Sequence, residues 1–423
     1  MPRIRLALLV CALLGSTASL VAKDFDWPQW RGPDRSGVSK ETGLLASWPE
    51  NGPAIEWTTT GLGGGFSSPS IADGKIFVMT YLGSDEAVVA MDEATGKILW
   101  KKAIGPKGNV SYNQGPRSTP TVDGGMVYVV GVNGTLTCLK TADGSIVWAK
   151  NYQNDFGGRM MSGWGYSESV LIDGEKLYCT PGGDNAAIVA LNKKTGKPIW
   201  AARVPNGGGA GYSSPVTATV GRTKMVINWL GSALVGVNAA TGKLLWTYDK
   251  NHNGTANIPT PIVKGDLVFA STGYGAGSAL LKLVPDNRGG VTAKEQYFLR
   301  ASDLQNHHGG MVLVGDYVFC GHGHNAGAPS CVELKTGKIV WREDRGPGSG
   351  SAAVTYADGK LIFRYQNGVI ALISGKTDDY ELISKFRQPN YSGAEAWAHP
   401  VVANGKMYIM DQDKLICFQL KAN

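Results

Sequence analysis

Hydrophobic positions in this chain come in short runs of β-branched and aromatic residues, broken by Gly, Asp and Asn. Runs of that length and composition predict strands rather than helices. Eight of them follow a tight turn and begin near Lys75, Met126, Lys176, Thr223, Leu267, Tyr317, Lys360 and Lys406. Before most of them lies a shorter segment opened by small residues, as in Ser67-Ser68-Pro69, Ser118-Thr119-Pro120 and Ser213-Ser214-Pro215. After them comes a phrase, clearest as Ala90-Met91-Asp92-Glu93-Ala94-Thr95-Gly96-Lys97-Ile98-Leu99-Trp100. Each unit therefore predicts four strands, designated A to D, with Thr-Gly in the turn between C and D. No amphipathic helix is predicted among them, and the one long apolar run is at the N-terminus.

The phrase returns at 190–200 and 236–246, and in altered form at 139–148 and 332–341, with a period of 43 to 52 residues. A regular period of this length signals a repeat architecture. Four-stranded antiparallel units at that period predict an all-β, eight-bladed β-propeller. Gly in the turn supplies a positive φ, and the Asp or Asn side chain can bond the turn's backbone N–H groups. The strand-D tryptophans Trp57, Trp100, Trp148, Trp200, Trp246 and Trp341 are expected to dock between blades. The small residue ahead of the acid is expected to make room for a ring from the neighbouring blade. Blade five has Tyr297-Phe298 in place of Trp, and blade seven is degenerate around 374–382. Blade eight has no strand D of its own, whereas Ala54-Ile55-Glu56-Trp57 reads as an orphan one; joining the two would close the ring. The chain then divides into a leader at 1–22, an N-terminal Trp/Pro-rich extension at 23–53 and one propeller domain at 54–420.

The leader has the form of a secretory signal: Arg3 and Arg5, an apolar stretch from Leu6 to Leu14, then small residues up to Ala22. Cleavage is expected after Ala22, with Ala18 as the alternative, giving a secreted or periplasmic chain with no transmembrane segment. Loss of the two arginines takes the formal charge from +7 to +5. The remaining cations are scattered, many of them in Thr-Gly-Lys turns, which argues against nucleic acid as a partner. A monomer is expected. Five cysteines would remain; Cys320 and Cys331 could face each other across a hairpin as a disulfide or lie apart as small buried hydrophobes.

In a propeller the D-to-A and B-to-C connections share one face. All six histidines map there: His252, His307, His308 and His399 beside D-to-A segments, His322 and His324 in a B-to-C loop. Arg117, Arg159, Tyr166, Glu168, Tyr212, Asn257, Glu395 and Trp397 join them from D-to-A segments. Trp229, Tyr274, Gln366 and Asp411 are among those from B-to-C loops. An aromatic opening with a few polar groups is the default ligand site, so Arg117, Tyr166, Asn257, His307, His308, His322, His324, Trp397 and His399 are candidate ligand-binding residues. His307, His308, His322 and His324 are candidate ligands for a transition metal; the other reading is hydrogen bonding to backbone or to a polar ligand. Glu168 and Glu395 are the candidate acid–base pair.

The Ala-x-Asp-x-x-Thr-Gly-Lys-x-x-Trp phrase resembles the tryptophan-docking repeat of pyrroloquinoline-quinone (PQQ) propellers, over residues 54–420. The opening Trp27-Pro28-Gln29-Trp30-Arg31-Gly32-Pro33 and the His-Gly block at 306–325 are similar to a secreted bacterial subgroup of PQQ-binding-like propellers. Two groups share the repeat, quinoprotein alcohol dehydrogenases and non-catalytic propellers such as the BamB outer-membrane assembly lipoprotein. The dehydrogenases hold PQQ between a Trp and a vicinal Cys-Cys disulfide, with a calcium ion on Glu and Asn and an Asp base. This chain has no adjacent cysteines, and no segment carries over the calcium ligands or the base. Three expectations follow. The first is a binding module for a small molecule, glycan or protein, working through its His/Trp-rich face. The second is a PQQ- and calcium-dependent oxidoreductase with a divergent site, and the third is a BamB-like assembly scaffold.

Overall fold

The computed structural model describes residues 25–112 and 114–422, so the expected leader lies outside the described residues. Eight four-stranded antiparallel sheets stand side by side, each pairing in the order A-B-C-D. Blade one is Ser70–Ala72, Lys75–Leu82, Asp85–Asp92 and Ile98–Pro106; blade six is Met311–Val314, Tyr317–His322, Ala328–Glu333 and Ile339–Arg342. The one helix among the described residues is Tyr152–Phe156, capped by the Asn151 side chain and ended by left-handed Gly157. No helix among the described residues is long and apolar enough to cross a membrane.

The ring closes with strands from both ends of the chain. Ile55–Thr59 pairs with Lys414–Gln419 as strand D of blade eight, setting Trp57 opposite Cys417. The core lies between blades rather than within one. One cluster joins Ile76 and Val89 of blade one to Tyr408 and Leu415 of blade eight, and another joins Tyr128 of blade two to Leu177 of blade three.

The recurring phrase does its work at these junctions. A β-carbon on Gly96 would come within 2.5 Å of the Trp57 ring, one on Gly144 within 2.7 Å of Trp100, and one on Gly196 within 2.7 Å of Trp148. These strand-D indoles, and likewise Trp200 against Gly242, lie over the turn glycine of the next blade. Three of them also donate the indole N–H to a carbonyl there: Trp100 to Thr141, Trp148 to Lys193 and Trp200 to Ala239. In blade five Tyr297 takes the same place, lying against Gly337 and donating its hydroxyl to the Leu334 carbonyl. Trp246 instead sets its N–H on the Met225 sulfur of its own blade while joining the cluster shared with blade five, and Trp341 meets Tyr380 of blade seven.

The small residue of the phrase has a different purpose from the one expected. It faces the tryptophan of its own blade: Ala90 is paired with Trp100, Ala190 with Trp200 and Gly236 with Trp246. A β-carbon on Gly236 would stand 2.3 Å from the Trp246 indole. Cys138, Cys331 and Cys417 occupy this same position opposite Trp148, Trp341 and Trp57. All five described cysteines are free and buried. Cys331 pairs across the hairpin with Phe319, so Cys320 points to the opposite face of the blade and packs in a different cluster, which precludes the disulfide.

Residues ahead of blade one run across the central opening. Trp27 bridges Ile71 of blade one, the Pro28 carbonyl accepts from Val122 of blade two, and Arg35 donates to the Ser169 and Val170 carbonyls of blade three. Trp30 donates to Thr260 ahead of blade five, Arg31 to the Met311 carbonyl of blade six. Val38–Ser39 adds a parallel fifth strand to blade seven, and Glu41 accepts from Gly405 of blade eight. The segment is therefore a plug tied to seven of the eight blades.

Candidate functional site

Segment 29–36 lies between two cavities. Trp30 lines one, about 350 Å³, on the face of the D-to-A and B-to-C connections; Gln29, Arg31 and 33–36 line the other, about 380 Å³, at the far ends of strands A. The first holds most of the aromatic and titratable side chains that the blade register gathers. Trp397 stands at its centre. Its ring lies 4.8 Å from Phe66, 5.6 Å from Tyr112 and 4.7 Å from His308, and its indole N–H donates to Gln366 Oε1 at 3.1 Å. Buried Arg364 fixes the strand leading out of Trp397 by donating to the Ala398 carbonyl, and the His399 N–H donates to Ser68 of blade one. Trp164 and Tyr212 form another wall, edge to face at 5.7 Å.

A directed hydrogen-bond chain sets the histidine side. Asn325 Oδ1 can only accept, and it takes both the backbone N–H and the hydroxyl of Ser351. The Ser351 oxygen then accepts from His307 Nδ1 at 2.7 Å, and His307 Nε2 accepts from the Tyr274 hydroxyl at 3.0 Å. His307 is thereby held in one neutral tautomer. Burial, with His324 beside it, lowers its pKa to about 4. Burial likewise lowers His308 well below the ordinary value, and takes His399 to about 3 with Arg31 adding to the effect. His308 Nε2 and His399 Nδ1 are buried without a partner. At neutral pH these three rings are uncharged donors and acceptors.

Of the residues singled out by sequence, Arg117, Tyr212, Tyr274, His307, His308, His324, Gln366, Glu395, Trp397 and His399 line this pocket. The others turn elsewhere. Tyr166 is buried against Tyr152 and donates to the Pro181 carbonyl. Asn257 spends its amide on the Leu230 and Gly231 carbonyls and its oxygen on Asn253. His322 accepts from Gln305 N–H and faces Arg342. Glu168 accepts from the Tyr152 hydroxyl at 2.7 Å and Thr180 N–H at 2.6 Å, away from Glu395, so the two acids do not share the pocket. Trp229 is fully buried, His252 is exposed, and Arg159 pairs with Asp184 at the surface. With His322 turned away and both ring nitrogens of His307 engaged, the four candidate metal ligands do not converge. Among the described residues no group of three or more His, Cys, Asp or Glu is disposed to hold a metal ion.

Sequence reasoning missed Trp30, Phe66, Tyr112 and Trp164. Trp164 sits two residues before Tyr166 in a D-to-A segment, so the same register argument would have found it. Trp30 belongs to no blade, and only the path of the plug brings it in.

The match to known proteins agrees with this fold. The family model described as "Outer membrane protein assembly factor BamB" matches residues 32–114 and 84–343. The BamB of Moranella endobia (strain PCIT) is 25% identical over 173 residues, 38% of this chain and 40% of that protein. That of Yersinia pestis is 27% identical over 173 residues, 38% of this chain and 39% of its own length. The chain thus aligns with about two fifths of these relatives. Among solved structures, BamB from Moraxella catarrhalis superposes with a TM-score of 0.54 at 15% identity, covering 82% of this chain and 94% of that one. Quinohemoprotein alcohol dehydrogenase from Comamonas testosteroni gives 0.64 at 14% identity, covering 94% and 81%. At such identities these structures speak for the fold alone. The family match spans more than half of the chain, and on that ground the protein belongs to the PQQ-repeat propeller family described as outer membrane protein assembly factor BamB.

Proposed function

We propose that the protein is a secreted or periplasmic binding module that takes a small organic ligand in its central pocket. One observation carries this reading: a cavity of about 350 Å³, floored by the Trp30 plug and walled by aromatic rings, with a few neutral polar groups fixed in direction. Ligand sites are typically about 300–1,000 Å³ and have this composition. The signal-like leader and the words "outer membrane" in the names of its relatives support the compartment.

The quinoprotein reading finds less support. PQQ with calcium needs carboxylate ligands for the ion and cations for an anionic ring. Among the described residues Glu395 is the one carboxylate lining the pocket, and Arg117 spends its guanidinium on the Ser111 and Tyr112 carbonyls. The residues present do not fit that group. The scaffold reading has one observation in its favour: Ile98, Leu99, Ile146, Val147 and Ile199 are exposed along strands D of blades one to three, where a protein partner could lie.

A ligand-observed NMR screen of small fragments of mixed charge tests the pocket. Fragments that bind the parent and are lost on Trp397→Ala support it. Fragments that bind both chains equally, or none binding at all, would overturn it.

A further inference from the structure

We infer that the central pocket is built for an uncharged saccharide, a mono- or disaccharide or the end of a longer glycan; this rests on the pocket being a ligand site.

The first ground is the aromatic surface. Trp397, Tyr112 and Phe66 form one continuous group of rings, with Trp30 below. The faces of a pyranose present C–H groups, and aromatic π-faces carry partial negative charge that such hydrogens meet favourably. The second ground is the polar inventory. A sugar offers hydroxyls that both donate and accept, and it matches best with fixed neutral partners. The Asn325-Ser351-His307-Tyr274 chain consumes the Tyr274 proton and leaves its oxygen free to accept. The Trp397 indole consumes Gln366 Oε1 and leaves that amide's N–H₂ free to donate. The His308 ring also lines this wall and packs against Trp397. The third ground is charge. Arg117, the one cationic side chain in the lining among the described residues, has its donors on two loop carbonyls and is matched by the carboxylate of Glu395, and the histidines of this wall resist protonation, so a phosphate, nucleotide or polycarboxylate would lose its hydration for little net cationic compensation. A neutral polyol suffers no such penalty.

Rigidity completes the case. Trp397 is held by Gln366, and the residues that follow it by Arg364 and by Ser68, so the platform is in place before a ligand arrives.

The test is to apply the labelled mature chain to an array of neutral and acidic mono- to tetrasaccharides, then to titrate the best neutral ligand calorimetrically. Saturable binding of a neutral saccharide is expected, weakened at least tenfold in Trp397→Ala and in Gln366→Ala and largely retained in Trp397→Phe, with all variants checked for folding by circular dichroism. Failure of every neutral saccharide to bind at millimolar concentration overturns the inference, as does binding indifferent to Trp397 and Gln366. Should the NMR fragments still bind in a Trp397-dependent way while sugars do not, the pocket stands and the saccharide falls. Binding restricted to acidic glycans also overturns it.

Discussion

At the residue scale, single side chains in this protein are constrained by what faces them across a hairpin or a blade junction. Gly236 is the clearest case, since a methyl there meets the Trp246 indole. Gly236→Ala is expected to cost about 1–3 kcal/mol by overpacking, read from the shift in urea midpoint. An unchanged midpoint would show that the indole can step aside. Glu86 makes a second point. It is buried between blades one and two, and both its oxygens take the Val132 N–H; burial lifts its pKa from 4.5 to about 7. The raised value means that the folded state keeps a proton that the unfolded chain releases. The stabilisation is full below pH 4.5 and lost as pH rises through 7. Glu86→Gln, which cannot ionise, should gain on the parent by up to about 3 kcal/mol between pH 5 and 8. The histidines slope the other way: His307, held near 4, stabilises above its free value of 6.5 and ceases to as pH falls. They contribute equally to both chains and cancel in the comparison. Parallel stability–pH curves for the two would refute the role given to Glu86.

At the element scale, the four-stranded blade is a unit whose apolar residues divide between junction and rim. Within Ile98-Leu99-Trp100 the tryptophan docks on blade two, whereas Ile98 and Leu99 are 39% and 48% exposed. Trp100→Ala should therefore cost about 3 kcal/mol, and Leu99→Ser should stay within about 0.5 kcal/mol of the parent. Chemical denaturation of the pair checks this, and equal losses would mean that the rim is covered. The elements were legible in sequence because a period of two residues within strands and a repeated Gly turn report directly on backbone geometry. The side on which the small residue acts was not legible, because strand register decides it: Ala90 lies opposite Trp100 only once the hairpin has formed its bulge between Ala90 and Met91.

At the scale of the whole molecule, closure and the plug are the two features that join distant parts of the chain. Strand D of blade eight comes from Ile55–Thr59, so a chain lacking residues 1–59 has an open ring as well as no plug. It is expected to lose cooperative unfolding, and adding back a peptide of 25–59 should restore it. A single sharp transition in the truncated chain alone would count against closure as the source of cooperativity. The plug also bears on the site. Arg31 and Arg35 are buried, and burial lowers them to about 10 and 9, yet each is held by carbonyls at the start of a strand A: Arg31 by Met311 of blade six, Arg35 by Ser169 and Val170 just ahead of blade three.

The sequence by itself determined the blade count, the four strands of each blade, the mixed-terminus closure and the face on which the histidines emerge. It could do so because repetition, alternation and turn chemistry are local and survive in one dimension. It also gathered His307, His308, His324, His399, Arg117, Glu395 and Trp397 without knowing which loops lean inward. Only the tertiary structure decided that His322, Tyr166, Asn257 and Glu168 turn away into structural hydrogen bonds, and that Cys320 and Cys331 face opposite sides of a blade. Only it brought Trp30 from outside the repeat to the floor of the pocket. The physical reason is the same in each case. A repeat fixes where the backbone goes, but the direction of a loop side chain depends on which buried donors and acceptors from other blades must be satisfied.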